Sequence, residues 1–206
     1  MEKLFQTALA QGAQLVKAYS GDRLEVDEKT SLQVLFPIAE AGADAIRIEK
    51  EQNGESLVLL MSMLGTKWLF TGDVDEAGEH RMLDSIAQAA GKIGNQTQPN
   101  SSAPLPALAS TYTRSSRTSV LAPIDVLKVA HHGSKTSSSE AWLDAWQPRL
   151  AVISVGEHNV YGHPSPVVTA RLQERKTGVL RTDLHGEVQM RVTEDGQIHV
   201  RSKLKQ

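Results

Sequence analysis

Apolar positions in this chain fall into short alternating or continuous runs, separated by stretches of helical periodicity. Residues 2–12 put Leu4, Phe5, Ala8 and Leu9 on one helical face, with Gly12 as the stop. A brief strand is predicted over 15–18, a turn at Ser20-Gly21-Asp22, and strands over 23–26 and 31–36, the last ended by Pro37. The acidic, alanine-rich stretch 39–44 predicts a loop. Residues 56–64 and 67–71 form the clearest hairpin pattern, joined through Gly65 and Thr66. That hairpin delivers Thr71-Gly72-Asp73. An amphipathic helix is predicted next over 76–90, with Met82, Leu83, Ile86 and Ala90 inward and Gly91 as terminator.

From 94 to 119 the composition shifts to Ser, Thr, Pro, Asn and Gln. Too few apolar anchors remain there to offset the entropy of ordering, so the stretch predicts a flexible insertion within a single domain, with Arg114 and Arg117 solvated. A continuous apolar run over 126–130 predicts a buried strand that runs into His131-His132-Gly133-Ser134. Ser137 with Glu140 reads as a capping box for a helix that buries Trp142, Leu143 and Trp146 and stops at Pro148. The strand predicted over 150–155 carries a polar tip reaching His163. Ser165 and Pro166 then open a helix that ends near Lys176. A strand over 179–181 leads to Thr182-Asp183 and a turn at His185-Gly186. Alternation at Val188, Met190 and Val192, and at Ile198 and Val200, predicts a terminal hairpin around Asp195-Gly196.

Composition narrows the function classes. At 206 residues with 40% hydrophobic and 22% charged residues, the chain is an ordinary globular domain. A net charge of −2 gives no overall positive field for nucleic acid, so any such substrate must be held by local residues or a metal. With no cysteine, a metal would have to take His, Asp or Glu. No apolar run approaches the ~20 residues of a membrane span, and residues 1–10 do not form a signal peptide, so the chain by itself reads as soluble.

The alternation of strands and helices predicts an α/β layered fold in which polar tips gather at strand ends. The tips are Asp73, His131, His132, His163 and Asp183, and their convergence into one site is the expectation. Asp73 suits either a helix cap or a metal ligand. Paired imidazoles at a strand end, followed by a glycine that admits close backbone approach, suit a metal or phosphate site.

Thr71-Gly72-Asp73, the run from Asp125 through His131-His132-Gly133-Ser134-Lys135-Thr136-Ser137, then Ser154-Val155-Gly156, Asn159, Tyr161-Gly162-His163-Pro164 and Arg181-Thr182-Asp183 together resemble the metallo-β-lactamase-like domain of the ComEC family of competence proteins. The ordered set with its spacing is far more specific than any one motif, and it covers the chain outside 94–119. The resemblance implies an αββα sandwich with divalent cations, Zn or Mn, at the strand ends. It implies Asp73 as the carboxylate that bridges two metals and one histidine as a ligand, with His132 preferred and His131 facing substrate. His163 and Asp183 become supporting or substrate-positioning groups, and Ser134 and Lys135 candidates for phosphate contact. The implied chemistry is metal-assisted phosphodiester hydrolysis on single-stranded DNA. His131 or His163 would stabilise or protonate the leaving oxygen. The implied setting is the extracytoplasmic side of a membrane channel protein for DNA uptake.

One departure from the family pattern shapes the expectation. The superfamily's principal ligand motif, His-x-His-x-Asp-His, is absent, and none of the seven histidines precedes His80. The chain is therefore expected to be the C-terminal portion of a longer protein and to have little activity alone. The alternatives are a non-catalytic fragment or interaction module with an exposed sheet edge, and a lactonase-like hydrolase of small molecules from the same superfamily.

Overall fold

The computed structural model describes residues 2–14, 17–39, 56–93 and 123–204. The loop expected over 39–44 (beyond Ala39), the insertion expected over 94–119, and Leu15 and Val16 of the first expected strand lie outside the described residues; Lys17 and Ala18 are not in a strand.

Helix α1 (Glu2–Ala10) precedes β1 (Arg23–Asp27), β2 (Thr30–Phe36), β3 (Val58–Met63) and β4 (Thr66–Phe70). Then come α2 (Glu76–Ile93), β5 (Val126–Lys128), α3 (Glu140–Trp146), β6 (Leu150–Ile153), α4 (Pro166–Glu174), β7 (Gly178–Arg181), the one-turn α5 (Thr182–His185), β8 (Val188–Val192) and β9 (Ile198–Ser202). Strands β1 to β7 lie side by side in chain order, and β8 and β9 make a separate hairpin. Pairing is antiparallel from β1 to β4 and parallel from β4 to β7. The α/β expectation holds.

Register explains the two faces of the sheet. Leu60, Leu69, Leu127, Ala151 and Val179 are successive cross-strand partners and so share one face. They join a core with Met82 of α2, with Trp142, Leu143 and Trp146 of α3, and with Val168 and Leu172 of α4. Both α3 tryptophans are fully buried, in an edge-to-face pair with centroids 5.6 Å apart, which places them in the core as expected. The partners Met61, Trp68 and Val126, and Leu59, Phe70, Lys128 and Val152, carry the other face. There Val188 and Met190 of β8 help enclose a cavity of about 280 Å³ against Trp68, Phe70 and Lys128.

Four local expectations are corrected. Helix α2 passes through Gly91 and ends at Ile93, because a single glycine costs a helix only about 1 kcal/mol. Strand β5 ends at Lys128, two residues early, since the chain enters a tight 3-10 turn at Ala130. The cap of α3 is Ser139, whose hydroxyl accepts from the Trp142 N–H, and not Ser137. Ser137 instead donates its hydroxyl to the carbonyls of Ala130 and Ser134. Thr182-Asp183 opens the short helix α5 where an irregular tip was expected.

Glu79 of α2 supplies what a local capping box would have supplied. Its carboxylate, fully buried, accepts the Ser138 N–H at 2.6 Å and the Ser139 N–H at 2.9 Å. Burial pushes this carboxyl upward, against the pull of the Ser139 and Ser138 donors. Removing it strands two buried N–H groups at the start of α3. Glu79→Ala should therefore lower the unfolding free energy by about 2–3 kcal/mol in urea melts, and Glu79→Gln, which keeps one acceptor oxygen, by less.

Candidate functional site

Because β4, β5, β6 and β7 run parallel, their C-terminal ends share one edge of the sheet. Asp73 follows β4, His131 and His132 follow β5, the loop bearing His163 follows β6, and Asp183 follows β7. This is where layered α/β folds collect ligands.

The ends of β4 and β5 are latched together. The Thr71 hydroxyl donates to the Lys128 carbonyl at 2.6 Å. The Gly72 carbonyl accepts both the Lys128 ammonium at 3.2 Å and the His131 N–H at 3.1 Å. Asp73 is the next residue, so its turn is fixed against the paired imidazoles. Burial pulls the Lys128 ammonium below the usual lysine range, while the charge of Asp73 opposes that shift. The Asp73 N–H is taken by the Ser56 hydroxyl at 3.2 Å, so this aspartate's backbone is anchored as well.

His131 and His132 both occupy left-handed backbone, at φ 46° and 55°. For residues with a Cβ this conformation costs on the order of 1–2 kcal/mol each, which the surrounding contacts must hold in place. Gly133 continues the turn at φ +81°. A Cβ on Gly133 would lie 2.7 Å from Pro164 Cβ and 3.2 Å from its Cα. The Gly133 carbonyl accepts the Ser165 N–H at 2.8 Å. Glycine here lets the loop after β6 sit directly on the histidine turn.

That packing brings His163 to the pair. Its ring centroid is 5.8 Å from that of His131, which is 6.4 Å from that of His132. Burial lowers the pKa of His163, and the neighbouring His131 and His132 lower it further, which favours the neutral ring. His132 is exposed, with Nδ1 2.6 Å from the Ser154 carbonyl. A carbonyl partner requires Nδ1 to carry the proton, so the Nε2 lone pair is left available for a ligand. His131 Nδ1 is buried with no hydrogen-bond partner.

Asp183 takes a different course. It forms a forked ion pair with Arg181, at 3.1 Å from Nε and 2.5 Å from Nη2, and this guanidinium holds its carboxyl below the usual range. Thr182, beside it, bonds the end of β6 by accepting the Val155 N–H at 2.8 Å and donating to the Val155 carbonyl at 2.7 Å. The structure therefore ties Asp183 to Arg181, whereas His131, His132 and His163 gather around one turn, to which the backbone just before Asp73 is bonded. Ser134 is buried with its hydroxyl 3.0 Å from that of Thr136, and Lys135 is exposed. Lys128 carried no expected role. Its signal in the sequence is a charge inside the apolar run Val126-Leu127-Lys128-Val129, which a buried strand tolerates only where the charge has a partner.

The divalent metal that the resemblance implies would take its donors from His, Asp or Glu. All seven histidines lie among the described residues. Among those residues no three His, Asp or Glu side chains converge as a metal site would require. Asp73 and an exposed His132 Nε2 are two donors of a set that needs about four. By themselves the described residues do not fit a tightly held metal.

Two outcomes check this geometry. Gly133→Ala should lower stability by about 2–3 kcal/mol, through the Pro164 clash and the positive φ, measured by chemical denaturation. Asp183→Asn should cost about 1–2 kcal/mol at neutral pH, because the ion pair is part-buried, with the Asp183 side chain 10% exposed. The depressed carboxyl contributes stability above its unfolded value of 3.8 and loses it as the pH falls through the folded value. The two proteins should therefore converge in stability in acid; a gap that is constant with pH would mean that the Arg181 pair contributes nothing.

A sequence profile of the Metallo-beta-lactamase superfamily matches residues 41–158, more than half of the chain. The chain is 33% identical over 190 residues to ComE operon protein 3 of Bacillus subtilis (strain 168), covering 92% of this chain and 19% of that protein. It is 34% identical over 139 residues to Competence protein ComA of Neisseria gonorrhoeae, covering 68% of this chain and 16% of that one. It is 43% identical over 75 residues to Recombination protein 2 of Haemophilus influenzae, covering 36% and 10%. It thus spans about a fifth or less of the length of these relatives. The resemblance drawn from the strand-end motifs is borne out: the chain belongs to the metallo-beta-lactamase superfamily, and its similarity runs to competence and recombination proteins, the ComEC family.

Proposed function

We propose that this chain forms part of a metal-dependent phosphodiesterase domain, nuclease-like and acting on single-stranded DNA, within a protein of DNA uptake. The observation that carries the reading is the latch at Gly72, which sets Asp73 beside a histidine turn with one imidazole nitrogen free. A carboxylate and imidazoles at one sheet edge are donor types that suit metal-assisted phosphodiester hydrolysis. The competence and recombination relatives favour DNA as the substrate, and the family resemblance alone adds the rest of a membrane channel as the partner. No helix among the described residues is long and apolar enough to cross a membrane.

In this reading His132 presents Nε2 outward, and Asp73 presents its carboxylate from the neighbouring turn. His163, favoured as a neutral ring, suits accepting a proton or hydrogen bond better than donating one as an imidazolium. Asp183 fixes the Arg181 guanidinium at the end of β7, a positioning role, while the Thr182 hydroxyl ties that end to Val155. Two donors hold a divalent cation weakly, so hydrolysis by this chain alone is slight.

Calorimetry with Mn²⁺ and Zn²⁺ tests the reading. The expected result is binding no tighter than about micromolar, roughly 8 kcal/mol, lost in the Asp73→Asn, His132→Ala double variant. Nanomolar binding by the chain alone, or binding untouched by that double variant, would refute it.

A further inference from the structure

Resting on the nuclease reading above, we propose that Tyr161 is a stacking platform for an unpaired nucleobase, placed at the rim of the histidine turn. Val160 and Tyr161 are the most exposed large apolar side chains among the described residues, at 88% and 80%. At that exposure the ring buries little against the fold and is open to contact with a ligand. The ring lies nearly parallel to His163, with an interplanar angle of 20° and centroids 6.0 Å apart. His163 in turn meets His131 edge to face at 5.8 Å. One face of Tyr161 is thus turned to His163 and the other is open, so a base stacked there lies one ring away from the imidazoles.

The loop that carries the ring is held in place. Asn159 accepts the His163 N–H on its side-chain oxygen at 2.8 Å, and its amide nitrogen donates to the His163 carbonyl at 2.7 Å and the Gly156 carbonyl at 3.2 Å. Pro164 seats the far end of the loop on Gly133. An exposed aromatic on a fixed loop loses little entropy on binding, which is what a recognition group needs. The chain's net charge of −2 provides no general attraction for a polyanion, so base stacking is a suitable source of affinity. Bases in a duplex are already stacked on both faces, which restricts this platform to a single strand or a frayed end.

Fluorescence anisotropy of a labelled oligothymidylate, in a metal chelator, tests the platform independently of hydrolysis. Tyr161→Ala should weaken binding about tenfold, the loss of one stacked base, while Tyr161→Phe, which keeps the ring, binds like the parent. An abasic strand of equal length should bind the parent as weakly as oligothymidylate binds Tyr161→Ala. Unchanged affinity in Tyr161→Ala, equal binding of the abasic strand, or no binding by the parent would each overturn the platform. The nuclease reading is judged separately, by hydrolysis with divalent cations in a protein that contains the domain within its longer relatives' context. Base-dependent binding there without hydrolysis would sink the nuclease reading and leave the platform standing.

Discussion

The Gly72 carbonyl oxygen accepts the backbone N–H of His131 and the ammonium of Lys128, and the Thr71 hydroxyl returns a bond to the Lys128 carbonyl. Strand ends fray because their last peptide groups lack ladder partners. Here those groups are partnered across the gap between β4 and β5, and a half-buried cation strengthens the bond in a low-dielectric setting. The Asp73 turn and the histidine turn are therefore positioned through two main-chain carbonyls, which one backbone N–H and the side chains of Thr71 and Lys128 bond. A lysine in the middle of an apolar run would otherwise be a liability. At this place its carbonyl and its ammonium both serve the same joint.

A second constraint works against strain. Two consecutive histidines in left-handed backbone would relax if the turn were free. Pro164 packs on Gly133, Ser165 bonds the Gly133 carbonyl, and Ser137 bonds the Ala130 and Ser134 carbonyls, so the turn is held from both sides. The same contacts draw His163 toward His131. A rigid edge of parallel strands, a strained turn and a loop pinned by Asn159 thus produce one cluster of imidazoles from segments thirty residues apart in sequence.

The sequence revealed this layout unevenly, and the reason is the range of the forces involved. Strand ends followed by polar tips, the buried tryptophans of α3, and Ser165 with Pro166 at the start of α4 are local signals, and they are found where expected. The misplaced cap at Ser137 shows the limit: the groups that satisfy the start of α3 come from Glu79, on another helix, and no spacing rule links them. Asp183 looked equivalent to Asp73 as an acid after a strand. Only the fold reveals that Arg181, two residues before it, takes its carboxylate. Helix α2 ran past Gly91 because a glycine's cost is small beside what the remaining residues of the helix contribute. The family emerged from the ordered motifs and the comparisons agree with it, and the shortage of histidine donors was legible too, since none precedes His80.

The proposed reading is that Asp73 and the histidine turn take a cation weakly, while the carboxylate of Asp183, at the same sheet edge, is held by Arg181. Paramagnetic line broadening by Mn²⁺ in amide NMR spectra measures this directly. The account predicts that signals of Gly72, Asp73, His132 and Gly133 broaden together at the lowest metal concentrations, with Asp183 and Leu184 affected later. Early broadening at Asp183, or at scattered surface carboxylates with the histidine turn untouched, would contradict it.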